Sequence, residues 1–275
     1  MQSIDFRNLV GRRHATEGQS YPQVELVHAQ TGIAAAQIEA ALVSRILGSF
    51  NHLLEEQTAA PARLLVAGAS MHLARDDDTV WCAGIGSMES MSGVALRRLD
   101  VRAVRGPMTR EWLERRGIRA PEVFGNPLLL LPRLLPGRFR ASGRRPYAVV
   151  ADPEDFSAEL PRSGLVSSQT PWNIYVESIV EASFIVSATI EGLAVAEAFG
   201  IPARHLDGDG RKTLELDDYA FGTGRERQGS GRSIQEALEM GGMPPPALDE
   251  QALLDAFPID LWRDARGAMH DDAAS

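Results

Sequence analysis

Short apolar runs alternate with segments of helical periodicity along most of the chain. Residues 64–67 and 80–85 are apolar runs of strand length, and the run at 101–104 precedes a helical pattern that starts at Pro107 and closes at Gly117. Proline suits the first position of a helix, because that position needs no backbone donor. The pattern therefore predicts a strand, a turn and a helix in succession.

The longest amphipathic pattern covers residues 30–54 and predicts one long helix, with Ile33, Ile38, Leu42 and Ile46 among its apolar positions. Strands that alternate with helices at these spacings predict parallel sheets with right-handed crossovers. We expect one half over residues 1–140 and a second half with a C-terminal helix, near 253–262, over residues 141–275. The second half has predicted strands at 147–150, 165–167, 184–186 and 203–206, with helices at 172–182 and up to Gly200.

The turn after the strand at 101–104 carries a cation and a glycine at the edge where open α/β sheets bind ligands. Arg105 and Gly106 place a guanidinium and a bare backbone beside a helix N-terminus, whose free N–H groups attract anions. A phosphate or carboxylate could bind there. Alternatively, Arg105 pairs with a carboxylate of the chain such as Glu111, and Gly106 only permits the turn.

A second polar junction follows the strand at 184–186. Ser187 and Thr189 are common helix N-cap residues, and Glu191 in a first turn compensates the helix dipole, so each has a purely structural explanation. Ser70 and His72 follow the strand at 64–67 in the same way. His72 is either a ligand-facing group or a solvated loop histidine.

Five segments of the chain carry a family resemblance: VRAVRGPMTREWLERRGI, VFGNPLLLLP, FIVSATIEGLAVAEAFGIPA, LDDYAFGTGR and LLDAFPIDLW. In order and spacing, over roughly residues 79–262, they resemble the polysaccharide pyruvyltransferases, most closely the ketal-pyruvyltransferase branch that acts in xanthan synthesis. The resemblance implies an α/β fold of two Rossmann-like halves that face a cleft, as in GT-B glycosyltransferases.

The implied reaction transfers a pyruvyl ketal from phosphoenolpyruvate to two hydroxyls of an exopolysaccharide precursor, and it releases phosphate. Phosphoenolpyruvate is then the donor substrate, a sugar or lipid-linked oligosaccharide is the acceptor, and no cofactor or metal is expected. In this interpretation Glu191 is the catalytic acid or base. The substrate-binding residues are Arg105, Asn126, Ser187 and Thr189, with His72, Arg204 and Arg225 as further candidates.

The chain departs from the family pattern at positions that could carry chemistry. Gly125-Asn126-Pro127 stands where the family has Gly-Asp-Pro, and Thr189-Ile190-Glu191-Gly192 where it has Ser-x-x-His-Gly. An Asn-x-Gly-Asp signature has no counterpart in residues 6–37. An amide cannot take a proton, so we expect Asn126 to orient a ligand or hold the turn.

Glu191 at the family's histidine position has a calculable consequence. Unit charges ~4 Å apart at an effective dielectric constant of ~20 interact by about 4 kcal/mol, which is roughly three decades in affinity. Either Glu191 is protonated when phosphoenolpyruvate binds, or the anion binds elsewhere, or the ligand is different. A protonated Glu191 could act as a general acid if burial raises its pKa.

The net charge of −9 and the absence of a basic stripe exclude nucleic acid as an expected partner. Almost all basic residues are arginine, which binds phosphate and carboxylate in a bidentate manner. Arg204 and Arg225 lie near predicted strand ends, where they could bind such groups. A separate cluster in the segment between the halves is either a solvated linker or a contact for anionic lipid: Arg138, Arg140, Arg144 and Arg145.

The rest of the composition concerns location. No apolar run approaches the ~20 residues of a membrane span, the N-terminus lacks a secretory pattern, and Cys82 is the single cysteine. We expect a cytoplasmic protein, at the inner face of the membrane if the arginine cluster binds lipid, with Cys82 as a small core residue. Four further segments are predicted to lack regular structure: a polar turn at 76–78, flexible loops at 208–210 and 221–225, and a frayed tail at 264–275.

Two other functions remain open from the sequence. The chain could be a non-catalytic or repurposed relative that keeps the cleft to bind a ligand or partner. It could also be a glycosyltransferase that uses a nucleotide sugar, which only the expected fold favours, and a fold is a weak basis for assigning chemistry.

Overall fold

The computed structural model of the chain describes residues 22–28, 32–152, 164–208, 210 and 213–263. Within these residues the chain forms two parallel four-stranded sheets with helices between the strands, so the predicted α/β class is confirmed. The predicted tail at 264–275, and position 209 of the predicted loop at 208–210, lie outside the described residues.

The first sheet has the strand order β1-β2-β3-β4, and every neighbouring pair is parallel. Helix α1 (Ile33–Ser49) connects β1 to β2. Its predicted apolar positions Ile38, Leu42 and Ile46 are buried, whereas Ile33, the first residue of the helix, is exposed. The sequence analysis did not predict β1, whose four residues include the exposed Glu25. The strands are β1 (Val24–Val27), β2 (Ala62–Leu65), β3 (Thr79–Trp81) and β4 (Asp100–Ala103), and helix α2 (Pro107–Glu114) follows β4.

The second sheet has the order β6-β5-β7-β8, again with parallel neighbours. Its central strand β5 pairs through Val149 with Leu165 on one side and with Val186 on the other. The strands are β5 (Ala148–Val150), β6 (Leu165–Val166), β7 (Ile185–Ser187) and β8 (Ala203–His205), with helices α4 (Trp172–Val180) and α5 (Ile190–Ala198) in between.

The remaining helices differ from the predictions in two places. The predicted flexible loop at 221–225 begins inside helix α6, which ends at Gly222. The following residue, Thr223, is buried, and its hydroxyl donates to the carbonyl of Tyr219. The single predicted C-terminal helix is two helices, since Pro258 cannot continue one. These helices are α3 (Leu131–Leu134), α6 (Thr213–Gly222), α7 (Ile234–Met240), α8 (Glu250–Asp255) and α9 (Asp260–Arg263).

The two sheets share a hydrophobic core. Helix α1 packs against α4, and α5 packs against a 3-10 turn at Pro127–Leu130, so helices of one half contact elements of the other. One cluster of buried side chains includes residues of both sheets. The segment 135–147 joins the halves, and its arginines at 138, 140, 144 and 145 are exposed, with Arg144 and Arg145 beside Glu181. No helix in the described part of the chain is long and apolar enough to cross a membrane.

Helices α8 and α9 return to the first sheet and cover Trp81. The indole Nε1 of Trp81 donates to the carbonyl of Leu253 at 2.9 Å, and its ring meets Phe257 edge to face, with the centroids 5.0 Å apart. Trp262 stacks on Phe257, and Arg102 of β4 binds Asp260 at 2.7 Å. The last described helices therefore close the core of the first half.

Substitutions of Trp81 test how much its contacts with α8 and α9 contribute to the free energy of unfolding. W81A removes a fully buried indole, so we expect it to lower the free energy of unfolding by about 3–5 kcal/mol in urea titrations. W81F keeps an aromatic ring against Phe257 but loses the hydrogen bond to Leu253, and it should cost less, about 1–2 kcal/mol. Equal losses for both variants would show that the hydrogen bond, rather than the ring, holds α8.

Candidate functional site

The turn after β7 is built from the side chains of Ser187 and Thr189. The hydroxyl of Ser187 donates to the carbonyl of Thr189 at 2.8 Å and accepts the backbone N–H of Thr189 at 3.2 Å. The hydroxyl of Thr189 accepts the N–H of Gly192 at 3.1 Å and so caps α5. A Cβ at Gly192 would overlap the Ser187 hydroxyl, which explains the glycine. These contacts supply the structural role that the sequence allowed for both hydroxyls, and their contact with substrate stays a prediction.

The same turn places Glu191 at the first turn of α5, against a loop of the other half. A Cβ at Gly68 would lie 3.3 Å from Oε1 of Glu191, so the carboxyl group sits on the backbone that follows β2. Gly68 has a φ of +68°, which a residue with a side chain rarely adopts. Loops at the carboxyl ends of both sheets therefore meet at Glu191, and such ends are where parallel sheets bind ligands.

The side chain of Glu191 is partly exposed, but the surrounding protein desolvates its carboxyl. Desolvation raises the pKa of this carboxyl to about 7, and the negative charges of Glu215 and Glu39 act in the same direction. A hydrogen bond from the backbone N–H of Glu191 itself and the positive charge of Arg105 oppose the rise. The carboxyl is thus close to half protonated at neutral pH, which meets the condition that the sequence analysis set for a general acid.

Two further groups of the neighbourhood were not found from the sequence. Glu39 of α1 is buried, its Oε2 lies 2.6 Å from Nδ1 of His28, and burial raises its pKa. Tyr175 of α4 is buried as well and hydrogen-bonds to Thr189; desolvation, then the charges of Glu191 and Asp152, raise the pKa of its phenol. Tyr175 therefore stays a neutral hydroxyl beside Glu191. Among the residues that the structure describes, these acids form no group with the arrangement of a metal site.

The helix N-terminus next to Arg105 already holds a carboxylate of the chain. Oδ1 of Asp218, from α6, accepts the backbone N–H groups of Met108 at 2.9 Å and Thr109 at 3.1 Å. Oδ2 of Asp218 accepts from Nε of Arg105 at 3.1 Å. The alternative that Arg105 pairs with a carboxylate of the chain is confirmed, but its partner is Asp218 rather than Glu111, because the fold brings Asp218 to that place.

The rest of the Arg105 guanidinium is also buried. Nη2 donates to the carbonyl of Ile85 at 2.5 Å, whereas Nη1 is buried and has no hydrogen-bond partner within the described ranges. Glu111 instead pairs with Arg115 on the surface of α2. Arg105 is thus an internal ion-pair residue with one donor to spare, and its binding of a ligand anion stays a prediction.

Three other predicted binding residues have internal contacts. Asn126 is buried, and its Oδ1 accepts the N–H of Leu128 at 3.0 Å, so it holds the turn at Pro127–Leu130, one of the two roles expected for it. Arg225 donates to Glu197 at 2.6 Å in a buried pair. Arg204 donates to backbone carbonyls around the end of α7, at Gly229, Met240, Gly241 and Gly242.

The remaining predicted positions follow the first sheet. His72 is exposed in a 3-10 turn after β2, with Nδ1 2.9 Å from the carbonyl of Ala69, and its role stays a prediction. Asp76 accepts the N–H of Arg97, and Asp78 pairs with Arg63 at 2.6 Å, which confirms the polar turn. Cys82 is buried, and burial raises the pKa of its thiol well above the usual value, as expected for a core residue.

The raised pKa of Glu191 predicts a pH dependence of stability. The folded state keeps the proton between the ordinary value of 4.5 and about 7. The free energy of unfolding should therefore fall as pH rises through this window, by about 3 kcal/mol from this group, and then level off. E191Q removes this ionisation, so we expect it to be more stable than the parent at pH 8 and similar at pH 5 in urea titrations.

The exposed Glu177 on α4 provides a matched control. E177Q should leave the pH dependence of the parent unchanged. If the free energies of unfolding of E191Q and the parent fall in parallel between pH 5 and pH 8, ionisation of Glu191 does not cause the loss of stability.

Comparisons with known proteins add no assignment. A scan against protein-family models matches none of them to this chain, and a search of curated proteins gives no match either.

Proposed function

We propose that the chain is a ketal-pyruvyltransferase-like enzyme that transfers a pyruvyl group from phosphoenolpyruvate to two hydroxyls of a sugar or lipid-linked oligosaccharide. The proposal includes a GT-B-like arrangement in which the two halves face a cleft, and action in the cytoplasm, at the inner face of the membrane if the arginine cluster binds lipid. The observation that carries it is Glu191, a carboxyl with a pKa of about 7 where the loops after both sheets meet.

The reaction needs a proton donor of this kind. The methylene carbon of phosphoenolpyruvate takes a proton and becomes the methyl group, and the adjacent carbon becomes an electrophile that one acceptor hydroxyl attacks. The bond from that carbon to the phosphate oxygen breaks, phosphate leaves, and the second hydroxyl closes the ketal. The two hydroxyls lose one proton each: one proton restores the carboxyl that protonated the methylene carbon, and the other leaves on the phosphate. A carboxyl that donates first and accepts later can therefore serve both steps.

The neutral form of Glu191 also resolves the repulsion that an ionised carboxylate would exert on the donor. A protonated carboxyl carries no charge, so phosphoenolpyruvate can approach it without the penalty of about 4 kcal/mol. We propose Nη1 of Arg105 as the donor to the anion: it has no hydrogen-bond partner in the described part of the chain, and because it is buried, the adjacent loop must move to admit the anion. The hydroxyls of Ser187 and Thr189, together with Tyr175, line the other side of the same turn.

One observation favours the binding-only alternative. Asp218 occupies the helix N-terminus that the sequence predicted as the anion site, and it uses the charge of Arg105. A chain that no longer binds phosphoenolpyruvate would tolerate such an internal anion. Binding measurements separate this alternative from the enzyme and from a nucleotide-sugar glycosyltransferase.

Calorimetric titration of the full chain with phosphoenolpyruvate, pyruvate, phosphate and a panel of nucleotide sugars gives the donor. We expect saturable binding of phosphoenolpyruvate, weaker at pH 8 than at pH 6, because ionised Glu191 repels the anion. Binding of a nucleotide sugar alone would identify a glycosyltransferase. Binding of none of the four would leave the enzyme proposal without a donor and would overturn it.

Substitution of Glu191 tests the proton donor. With phosphoenolpyruvate and glycosides that carry free hydroxyl pairs, phosphate release should fall as pH rises through about 7, and E191Q should lose 10²–10⁴-fold in turnover while it keeps its fold. E236Q, at an exposed first-turn glutamate of α7, should retain parental turnover. Turnover by E191Q at the parental rate would exclude Glu191 as the acid.

A further inference from the structure

Asp218 is the most completely enclosed acid at the contact between the two halves. It lies on α6 of the second half, its side chain is fully buried, and both of its oxygens bind groups of the first half. Besides Arg105 and the two N–H groups of α2, it accepts the hydroxyl of Thr109 at 2.6 Å. A Cβ at Gly106 would overlap the backbone carbonyl of Asp218, so the glycine permits this approach. The position of the carboxylate is therefore fixed from several directions.

A continuous set of contacts leads from this ion pair to Glu191. A Cβ at Gly84 would overlap the guanidinium carbon of Arg105, so the guanidinium lies directly on the Gly84 backbone. The N–H of Gly84 donates to the carbonyl of Gly68 at 2.8 Å, and a Cβ at Gly68 would lie 3.3 Å from Oε1 of Glu191. Two residues without side chains thus connect the cation to the carboxyl, and the charge of Arg105 acts on Glu191 across them.

We propose that Asp218 is a positioning residue for Glu191: by pairing with Arg105, it fixes the guanidinium on Gly84 and offsets part of the positive charge that Arg105 exerts on the Glu191 carboxyl. The proposal deepens the proposed function, because a proton held on Glu191 near neutral pH is what that function requires. Without the Asp218 charge, an isolated guanidinium so close would favour the ionised carboxylate. The pairing with Asp218 therefore limits how far the charge of Arg105 lowers the pKa of Glu191.

Other charged and titratable groups also face Glu191, and they come from several elements. Glu215 lies on α6, Glu39 lies on α1 with His28 beside it, and the phenol of Tyr175 on α4 interacts with the charges of Glu191 and Asp152. Substitution at Asp218 changes none of these groups. A change in the titration of Glu191 would then report the Arg105–Asp218 pair.

The test follows the titration of Glu191 itself. The full-length protein, labelled with ¹³C at the glutamate carboxyl carbons, is titrated by NMR, and the Glu191 signal is assigned by its absence in E191Q. In D218N the amide oxygen can still accept the N–H groups of Met108 and Thr109, while the negative charge is gone. We expect the titration midpoint of Glu191 to move down by about one pH unit.

D217N is the matched control, because it removes the neighbouring carboxylate of the same helix, which pairs with Arg227 at 3.1 Å. Its Glu191 midpoint should equal that of the parent. R105Q, which removes the cation and leaves Asp218, should move the midpoint upward, and this opposite sign decides the question even if D218N does not fold. A parental midpoint in either folded variant, D218N or R105Q, or an equal downward move in D217N, would overturn the proposal.

This measurement is independent of turnover. A shifted midpoint in D218N together with no phosphoenolpyruvate binding by the parent would refute the proposed function and leave the role of Asp218 intact. An unshifted midpoint in D218N together with pyruvyl transfer by the parent would refute the role of Asp218 and support the proposed function.

Discussion

The contact between the two halves depends on a buried negative charge at a helix N-terminus. Asp218 of α6 receives two backbone N–H groups of α2, the hydroxyl of Thr109 and the guanidinium of Arg105. A buried carboxylate is costly unless its oxygens are fully hydrogen-bonded, and removal of one partner of such a pair commonly costs 3–5 kcal/mol. The arrangement therefore fixes α6 against α2 in one register, and the loops around Arg105 are placed by it.

The Glu191 neighbourhood shows the opposite treatment of a carboxyl group. The carboxyl of Glu191 is desolvated, receives few hydrogen bonds and lies near other acids. These conditions disfavour the ionised form, so the carboxyl keeps its proton to a higher pH. Asp218 is thus held by an ion pair and hydrogen bonds, whereas desolvation raises the pKa of Glu191.

Local features of this fold could be predicted from the sequence, because they depend on local chemistry. The periodicity of α1, the proline at the start of α2, the caps at Thr189 and the turn at Asn126 all follow from neighbouring residues. The location of Glu191 in a first turn was predictable in the same way. Strand β1 escaped prediction, since four residues with an exposed Glu25 carry too short a pattern.

The pairings that make the site were not predictable from local patterns. Arg105 could have paired with any of several carboxylates, and the choice of Asp218, 113 positions away, is made by the tertiary fold. The same holds for Gly68, whose bare backbone accommodates Glu191, and for Glu39, whose charge becomes relevant only after burial. The motif LDDYAFGTGR contained Asp218, but nothing in it distinguished that residue from Asp217.

The return of α8 and α9 to Trp81 has a consequence for the order in which the protein can be assembled during synthesis. The ribosome makes the strands of the first sheet well before residues 253–262, so the indole of Trp81 lacks its cover while the second half is being translated. An incompletely covered apolar side chain on a nascent domain attracts chaperones and neighbouring chains. The first half is therefore synthesised first, but its core is completed only after α8 and α9 have been made. Truncated chains without these helices should be more prone to aggregate than the complete chain.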